Sequence, residues 1–266
     1  MTNEVFNGRR FGAWFKYDLK QMWRNQMKAA LGIGLSGLIL YAIVISYNLI
    51  INQVWNAPSI EARAIVFTFA VIALTLYQAK TYGFLTDKSK GSAWLMAPGS
   101  TLEKWTAMII NTLIVIPVLF CVAFIGVDWL LCTIDHSMGE SLITIFTDGV
   151  SKYNEVLATG EVEIMIGAGS LVWISIVTMF SNFLYFLLCG ICFKKHKIIW
   201  ALAIMFVVSM VFSLIGNTAI DVEEFSRDML AGKTPNEFIN RLAIVSTVIT
   251  VGLAGGIYYR LKTIKH

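Results

Sequence analysis

Long apolar blocks separated by shorter polar segments dominate the pattern of this chain. A helix of about 20 residues crosses the roughly 30 Å hydrocarbon core of a bilayer. The blocks therefore predict six transmembrane helices: Ala29–Ile51, Ala62–Phe84, Trp105–Leu131, Met165–Phe193, Ile198–Ile215 and Leu242–Tyr259. The expected fold class is an all-α membrane protein, with residues 1–266 forming a single transmembrane domain.

The polar segment before the first block, residues 5–28, has the pattern of an amphipathic helix. Two sets of side chains recur on different faces: Phe11, Trp14, Phe15, Leu19 and Met22 on one, and Lys16, Lys20, Arg24 and Lys28 on the other. This pattern is typical of a helix that lies in the membrane interface with its cations facing anionic headgroups. The alternative is a cytoplasmic helix packed on the bundle. Asp18 falls within the apolar arc, where we expect it to pair with a basic neighbour.

Two further polar segments, residues 133–164 and 216–241, carry apolar side chains at helical spacing. They predict short amphipathic helices on the outer rim of the bundle.

Composition and charge add an orientation to this prediction. Hydrophobic residues make up 57% of the chain and charged residues 14%, whereas a soluble domain carries about 25% charged residues. Of the 21 Lys and Arg residues, 16 fall on the side that holds the N-terminus, the 85–104 and 194–197 loops and the C-terminus. The other side holds five: Arg63, Lys152, Arg227, Lys233 and Arg241. Because basic loops stay in the cytoplasm, both termini are expected there.

Catalytic chemistry is not apparent in the sequence. Gly232-Lys233-Thr234 resembles the end of a phosphate-binding loop, but Arg227 occupies the position where that motif needs glycine. Cys189 and Cys192 have metal-ligand spacing without a second pair. The spans show no acidic or basic residue at midplane, where ion-coupled transporters carry their relays. We therefore expect no enzyme activity, no metal site and no bound cofactor, and we expect another polypeptide to supply the energy for any transport.

Gly252 and Gly256 form a Gly-x-x-x-Gly face in the last predicted span. Such a face permits close helix contact, either within the chain or with a second copy.

The cytoplasmic loop 85–104 is the most distinctive segment. Ser100 and Glu103 have the spacing of a capping box for the third span. Between Asp87 and Met96 there is room for about two helical turns, which we expect to end in an exposed Trp94-Leu95-Met96 cluster. Such a cluster either binds a partner protein or dips into the membrane interface.

Residues Trp94 to Trp105 read Trp-Leu-Met-Ala-Pro-Gly-Ser-Thr-Leu-Glu-Lys-Trp. Placed between the second and third of six spans, this motif resembles the type-2 ABC transporter permeases typical of Bacteroidetes. Ala97 and Gly99 depart from the leucine and alanine common there, and the cap is kept. The layout of the whole chain is similar to that family as well.

The resemblance implies a permease subunit of an ABC exporter in the bacterial inner membrane. Two copies would pair with two cytoplasmic ATPase subunits, which bind ATP and Mg, and no nucleic acid is involved. The 85–104 loop would act as the coupling helix, and the N-terminal helix as an elbow along the inner leaflet. The implied ATPase-docking residues are Asp87, Lys88, Lys90, Trp94, Leu95 and Met96.

Two other hypotheses remain open. In the first, the chain is a sensor or structural protein whose 133–164 loop binds an external partner. In the second, it is a membrane-embedded enzyme. The enzyme hypothesis requires a convergent set of nucleophile, base and ligand residues, which the sequence does not show.

Overall fold

The computed structural model describes residues 6–159, 168–219 and 235–264, and within them it contains helices and no strands. The all-α class is confirmed. The helices are α1 Gly8–Met22, α2 Lys28–Gly34, α3 Ser36–Tyr47, α4 Ile60–Thr81, α5 Lys88–Met96, α6 Thr101–Ile110, α7 Ile116–Ile134, α8 Leu142–Thr159, α9 Ala168–Cys192, α10 Lys197–Ala219 and α11 Pro235–Thr263.

Within these described ranges, four helices are long and apolar enough to cross a membrane: Ile60–Thr86, Thr101–Ile134, Val172–Cys192 and Leu242–Thr263. Lys28–Gly34 and Ser36–Asn52 meet at a bend of 41° and count as a fifth span if taken together. The apolar stretch Lys197–Val211 is shorter. These helices are consistent with a multi-pass membrane protein, and the sixth span stays a prediction.

The two predicted external segments differ in how far the observed helices agree with the prediction. Helix α8 occupies much of 133–164, as expected, whereas the last residues of that segment lie outside the described ranges. In 216–241, the first residues extend α10 and the last ones begin α11. The two ends of the segment thus belong to the flanking long helices, and the separate short helices stay a prediction. The middle of the segment, which includes Arg227 and the Gly232–Thr234 motif, lies outside the described residues.

The N-terminal helical run, α1 to α3, lies parallel to α6 and α7. Three side-chain hydrogen bonds join them at sequence separations of 93, 93 and 94 residues: Arg10 to Glu103, Asn111 to Asp18, and Tyr41 to Asp135. A nearly constant separation over this length indicates two helical runs that lie side by side in the same direction. Of the two sequence interpretations of the N-terminal helix, the structure thus favours packing on the bundle.

Helix α6 leads into α7 through a π-helical turn at Asn111–Val115. Pro117 lies at the start of α7, directly after this turn. Proline has no backbone N–H, and a wide turn tolerates that loss better than a regular helix does. The turn also brings Asn111 and Thr112 into the core, where both are fully buried.

At the end of the bundle opposite the 85–104 loop, Arg63 is buried, although the charge sorting counts it as an external residue. Its guanidinium donates to Asp128 Oδ1 at 3.0 Å and to the carbonyl oxygens of Met138 and Glu140 at 3.0 and 2.9 Å. Asp128 Oδ2 in turn accepts the N–H of Leu142 at 2.8 Å. This buried ion pair fixes the segment before α8 against α4 and α7.

Glycines set the closest helix contacts. A Cβ on Gly190 would overlap the carbonyl oxygen of Ala79, so α9 approaches α4 closely only because this residue is glycine. This packing role accounts for the glycine between Cys189 and Cys192. Gly256 faces Leu188 of α9, where a Cβ would lie at 3.5 Å, while Gly252 meets open space. The Gly-x-x-x-Gly face is therefore shared between an internal contact and the surface.

We expect Gly190→Ala to lower the free energy of unfolding by about 1–3 kcal/mol, because the added methyl group must push α9 away from α4. Thermal unfolding of the purified protein in mild detergent measures this. Gly255→Ala is the matched control, since a Cβ there meets nothing within 4 Å. Equal melting temperatures for the two variants would contradict the close approach of α4 and α9.

Candidate functional site: a buried carboxylate beside the 85–104 loop

Four segments meet at one end of the bundle. The Lys197 ammonium donates to the carbonyl oxygen of Gly83 and to Thr86 Oγ1, and the Trp105 indole N–H donates to the carbonyl oxygen of Ala254. With α1 packed on α6, these contacts bring together the segments that the distribution of Lys and Arg assigns to one side of the membrane. We call this end of the bundle, which holds α1 and the 85–104 and 194–197 loops, the basic end.

Asp18 of α1 is the centre of the basic end, and it is only 1% exposed. Its Oδ2 accepts hydrogen bonds from Tyr82 Oη at 2.6 Å and from Asn111 Nδ2 at 2.8 Å. Its Oδ1 accepts one from the Trp94 indole N–H at 2.8 Å. One carboxylate thus joins α1 to the end of α4, to α5 and to the π-turn after α6.

The expected pairing of Asp18 with a basic neighbour is wrong, because its three hydrogen-bond partners, Tyr82, Trp94 and Asn111, are neutral donors. Burying a carboxylate without compensation is very unfavourable, and several converging donors are what make it tolerable. Burial raises the pKa of Asp18, and the three hydrogen bonds oppose that rise. Asn111 Nδ2 also donates to Tyr82 Oη at 3.1 Å, which closes the cluster.

The expected exposure of the Trp94-Leu95-Met96 cluster is wrong for Trp94, which is 1% exposed. Its ring packs edge-on against Trp14 at 5.3 Å and Tyr82 at 6.1 Å between centroids. Leu95 is half-buried against the core, whereas Met96 is 83% exposed. The three residues of the motif therefore have three different environments.

The first half of the 85–104 loop is mostly helical. The backbone of Lys88–Met96 forms helix α5, as the sequence predicts, and the carbonyl oxygen of Asp87 accepts the N–H of Gly91 at its start. The side chains of Lys88 and Lys90 lie outside the part of the chain that the structure describes.

Glu103 joins α1 to α6 a second time. It forms the capping box with Ser100, and the same carboxylate accepts the Arg10 guanidinium at 2.8 Å and the N–H of Asn7 at 2.9 Å. Glu103 is fully buried. Charge-assisted hydrogen bonds in such a site are stronger than those between neutral groups.

Lys104 joins α5 to α6. Its ammonium donates to the carbonyl oxygen of Leu95 at 2.6 Å, near the C-terminal end of α5. It also lies 5.2 Å from the ring centre of Trp14 and 5.6 Å from that of Trp94, within the range of cation–π attraction. The basic end is thus a single packed unit of α1, α5 and α6 with the end of α4.

The α1 residues that were predicted to lie in the membrane interface differ in their exposure. Trp14 is buried, Phe11, Phe15 and Leu19 are half-buried against the core, and Lys16 and Lys20 are exposed. Sequence analysis missed Tyr82 and Asn111 as partners of Asp18. The signal was a lone acidic residue in an apolar arc, which requires buried donors but does not say which ones.

The described residues contain no group of three His, Cys, Asp or Glu side chains that could hold a metal ion. No family model, curated protein or solved structure matches the chain.

We expect Asp18→Ala to lower the free energy of unfolding by about 3 kcal/mol, because it leaves the buried indole N–H of Trp94 without an acceptor and the hydroxyl of Tyr82 with only the weak acceptor Met22 Sδ. Chemical denaturation in detergent micelles measures the change. The control is Asp148→Ala at an exposed position on α8, where a change within about 0.5 kcal/mol is expected. A similarly small effect at Asp18 would show that the cluster does not stabilise the fold.

The Asp18 cluster also predicts a pH dependence. With its pKa raised above 3.8, the folded protein holds a proton on Asp18 at pH values where the unfolded chain has released it. The contribution of Asp18 to stability is therefore greatest below the ordinary pKa and falls as the pH rises through the raised value. Relative to Asp18→Asn, the wild type should gain stability as the pH is lowered from about 7 to about 4. A pH-independent difference in unfolding free energy would contradict this.

Proposed function

We propose that this chain is the membrane-spanning, non-catalytic permease subunit of an ATP-driven type-2 ABC exporter. A separate cytoplasmic ATPase binds ATP and Mg and docks on the 85–104 loop. The complex lies in the bacterial inner membrane, with both termini of this chain in the cytoplasm. The supporting observation is the Asp18 cluster, which joins the loop helix α5 to two candidate membrane-spanning helices and to α1.

Coupling requires that a displacement of the loop moves the spans. A force on α5 reaches α4 through Tyr82, reaches α1 through Asp18, and reaches α6 through Lys104. Each of these contacts is buried or half-buried, so the four elements move together and not independently. ATP binding in the partner would then tilt the membrane helices through α5, and a second permease copy would complete the pathway.

Exposure separates the docking residues from the positioning residues. Met96 is the large apolar side chain that α5 presents outward, with Leu95 beside it, and we assign the ATPase contact to these two. Trp94 faces inward, so it positions α5 and does not itself touch the partner. Asp87 lies at the exposed start of the helix.

The surface of α11 suits the second permease copy. Both Gly252 and Gly255 meet open space, and such a small-residue surface allows another helix to approach closely.

A second candidate function is the binding of an apolar ligand at the opposite end, which is the sensor hypothesis for residues 133–164. It is favoured by an apolar groove of about 800 Å³ between α8, α9 and α4. Phe67, Phe146 and Val172 are among the residues that line it. A protein of this kind would purify without an ATPase, which distinguishes it from the permease.

We expect Met96→Glu to abolish co-purification with the ATPase from native membranes, because a carboxylate would be buried against the docked partner without compensation. The melting temperature of the isolated chain should stay unchanged, since Met96 is 83% exposed. Affinity purification followed by an ATPase assay measures the association.

Met96→Leu is the matched control, because it keeps an apolar side chain of similar volume and should keep the ATPase bound. If Met96→Glu leaves both the association and the ATP hydrolysis rate intact, the docking assignment is wrong.

A further inference from the structure

A shallow apolar groove of about 420 Å³ runs between the N-terminal helical run and α7. One wall carries Leu19, Trp23 and Met27, and the other carries Ile114, Val118 and Val122. On each wall these residues are four apart and cover eight positions, which corresponds to about 12 Å of helix. Because the two runs are parallel, the walls stay adjacent along this whole length.

A stripe of cations lies next to the groove on the surface of the same N-terminal run. Lys16, Lys20, Arg24 and Lys28 recur every four residues, and all four are exposed. The salt bridges found among the described residues are Arg10–Glu103 and Arg63–Asp128, so none of these four cations has a carboxylate partner there. An apolar slot beside an unpaired cationic stripe is complementary to an amphiphile with an anionic head.

The depth of the groove matches one leaflet of a bilayer. Counting 20 residues, or about 30 Å, back from the apolar end of α7 at Ile134 leads to Ile114. Ile114 and Leu19 then lie at the membrane surface of the basic end, and Val122 lies about 12 Å deeper. Arg24 and Lys28 lie about 7 and 13 Å below this surface, and their long side chains extend back toward the headgroups, so only Lys16 and Lys20 of the stripe lie at headgroup level. Lys16 and Lys20 are within about one helical turn of Leu19, at headgroup level.

We propose that this groove binds an acyl chain of an anionic phospholipid, with the lipid phosphate held by Lys16 and Lys20. A second copy of this chain is a poor occupant, because a two-fold contact through this face would bring two identical cationic stripes together. A lipid satisfies both the apolar walls and the cations. The assignment does not depend on the permease function, since it requires no ATPase.

The test uses the purified full chain in mild detergent with equal amounts of dioleoylphosphatidylglycerol and dioleoylphosphatidylcholine. Native mass spectrometry counts the lipids that stay bound, and a third sample with inorganic phosphate in place of lipid separates the lipid from its free headgroup chemistry. We expect retention of the anionic lipid over the zwitterionic one and no binding of phosphate alone. The changes Lys16→Gln and Lys20→Gln should each lower the preference for the anionic lipid about fivefold.

Two variants test the position of the site. Val118→Trp fills the groove at a residue that is 55% exposed, so the fold should tolerate it and retention of the anionic lipid should be lost. Val245→Trp makes the same change on α11 at 54% exposure and should retain the lipid. The double change Lys194→Gln/Lys195→Gln is the charge control, because both side chains are exposed at the same end of the bundle.

Three results would each overturn the proposal. They are equal retention of the two lipids by the wild type, unchanged retention in Val118→Trp, and an equal loss of preference in the Lys16/Lys20 and Lys194/Lys195 variants.

Discussion

The buried carboxylate of Asp18 is the constraint on which the basic end depends. It cannot be desolvated at low cost unless several donors reach it together. Those donors come from residues 64, 76 and 93 positions away along the chain. Helix α1, the end of α4, α5 and the π-turn must therefore be in place at the same time. The tertiary structure of this end is specified by one polar group more than by its apolar contacts, which tolerate repacking.

The same requirement fixes the register of the long parallel pair. If the N-terminal run slipped by one turn along α6 and α7, each contact would move by about 5.4 Å. The bonds of Arg10, Asp18 and Tyr41 to the opposite helices would then be lost together. Apolar ridges alone permit several registers, whereas three polar contacts at nearly the same separation permit a single register. The apolar groove beside α7 exists as a continuous slot because this register is kept.

The sequence was sufficient to predict the all-α class and the helical conformation of α1 and α5, because these depend on local spacing and on the length of the segment. It could not distinguish an α1 that lies in the membrane interface from one that packs on the bundle, since the same stripe of Trp14 and Leu19 serves both. The sequence pattern wrongly predicted that Trp94 is exposed. The burial of Trp94 depends on the position of α1, which a local pattern does not give. The three donors to Asp18 and the buried partners of Arg63 are far away along the chain, and a helical pattern contains no information about such contacts.

Trp94 and Met96 lie on opposite faces of α5, and this arrangement bears on how the loop could transmit a force. Residues two apart on a helix point about 200° apart, so one faces the bundle while the other faces away. Trp94 donates to Asp18 on the inner side of α5, and Met96 is available on the outer side. A partner that binds Met96 therefore acts on the opposite face of a helix whose inner face contacts α1 and the end of α4. A helix with this arrangement transmits displacement without itself deforming, provided that the Asp18 hydrogen bonds persist, and the proposed coupling depends on that condition.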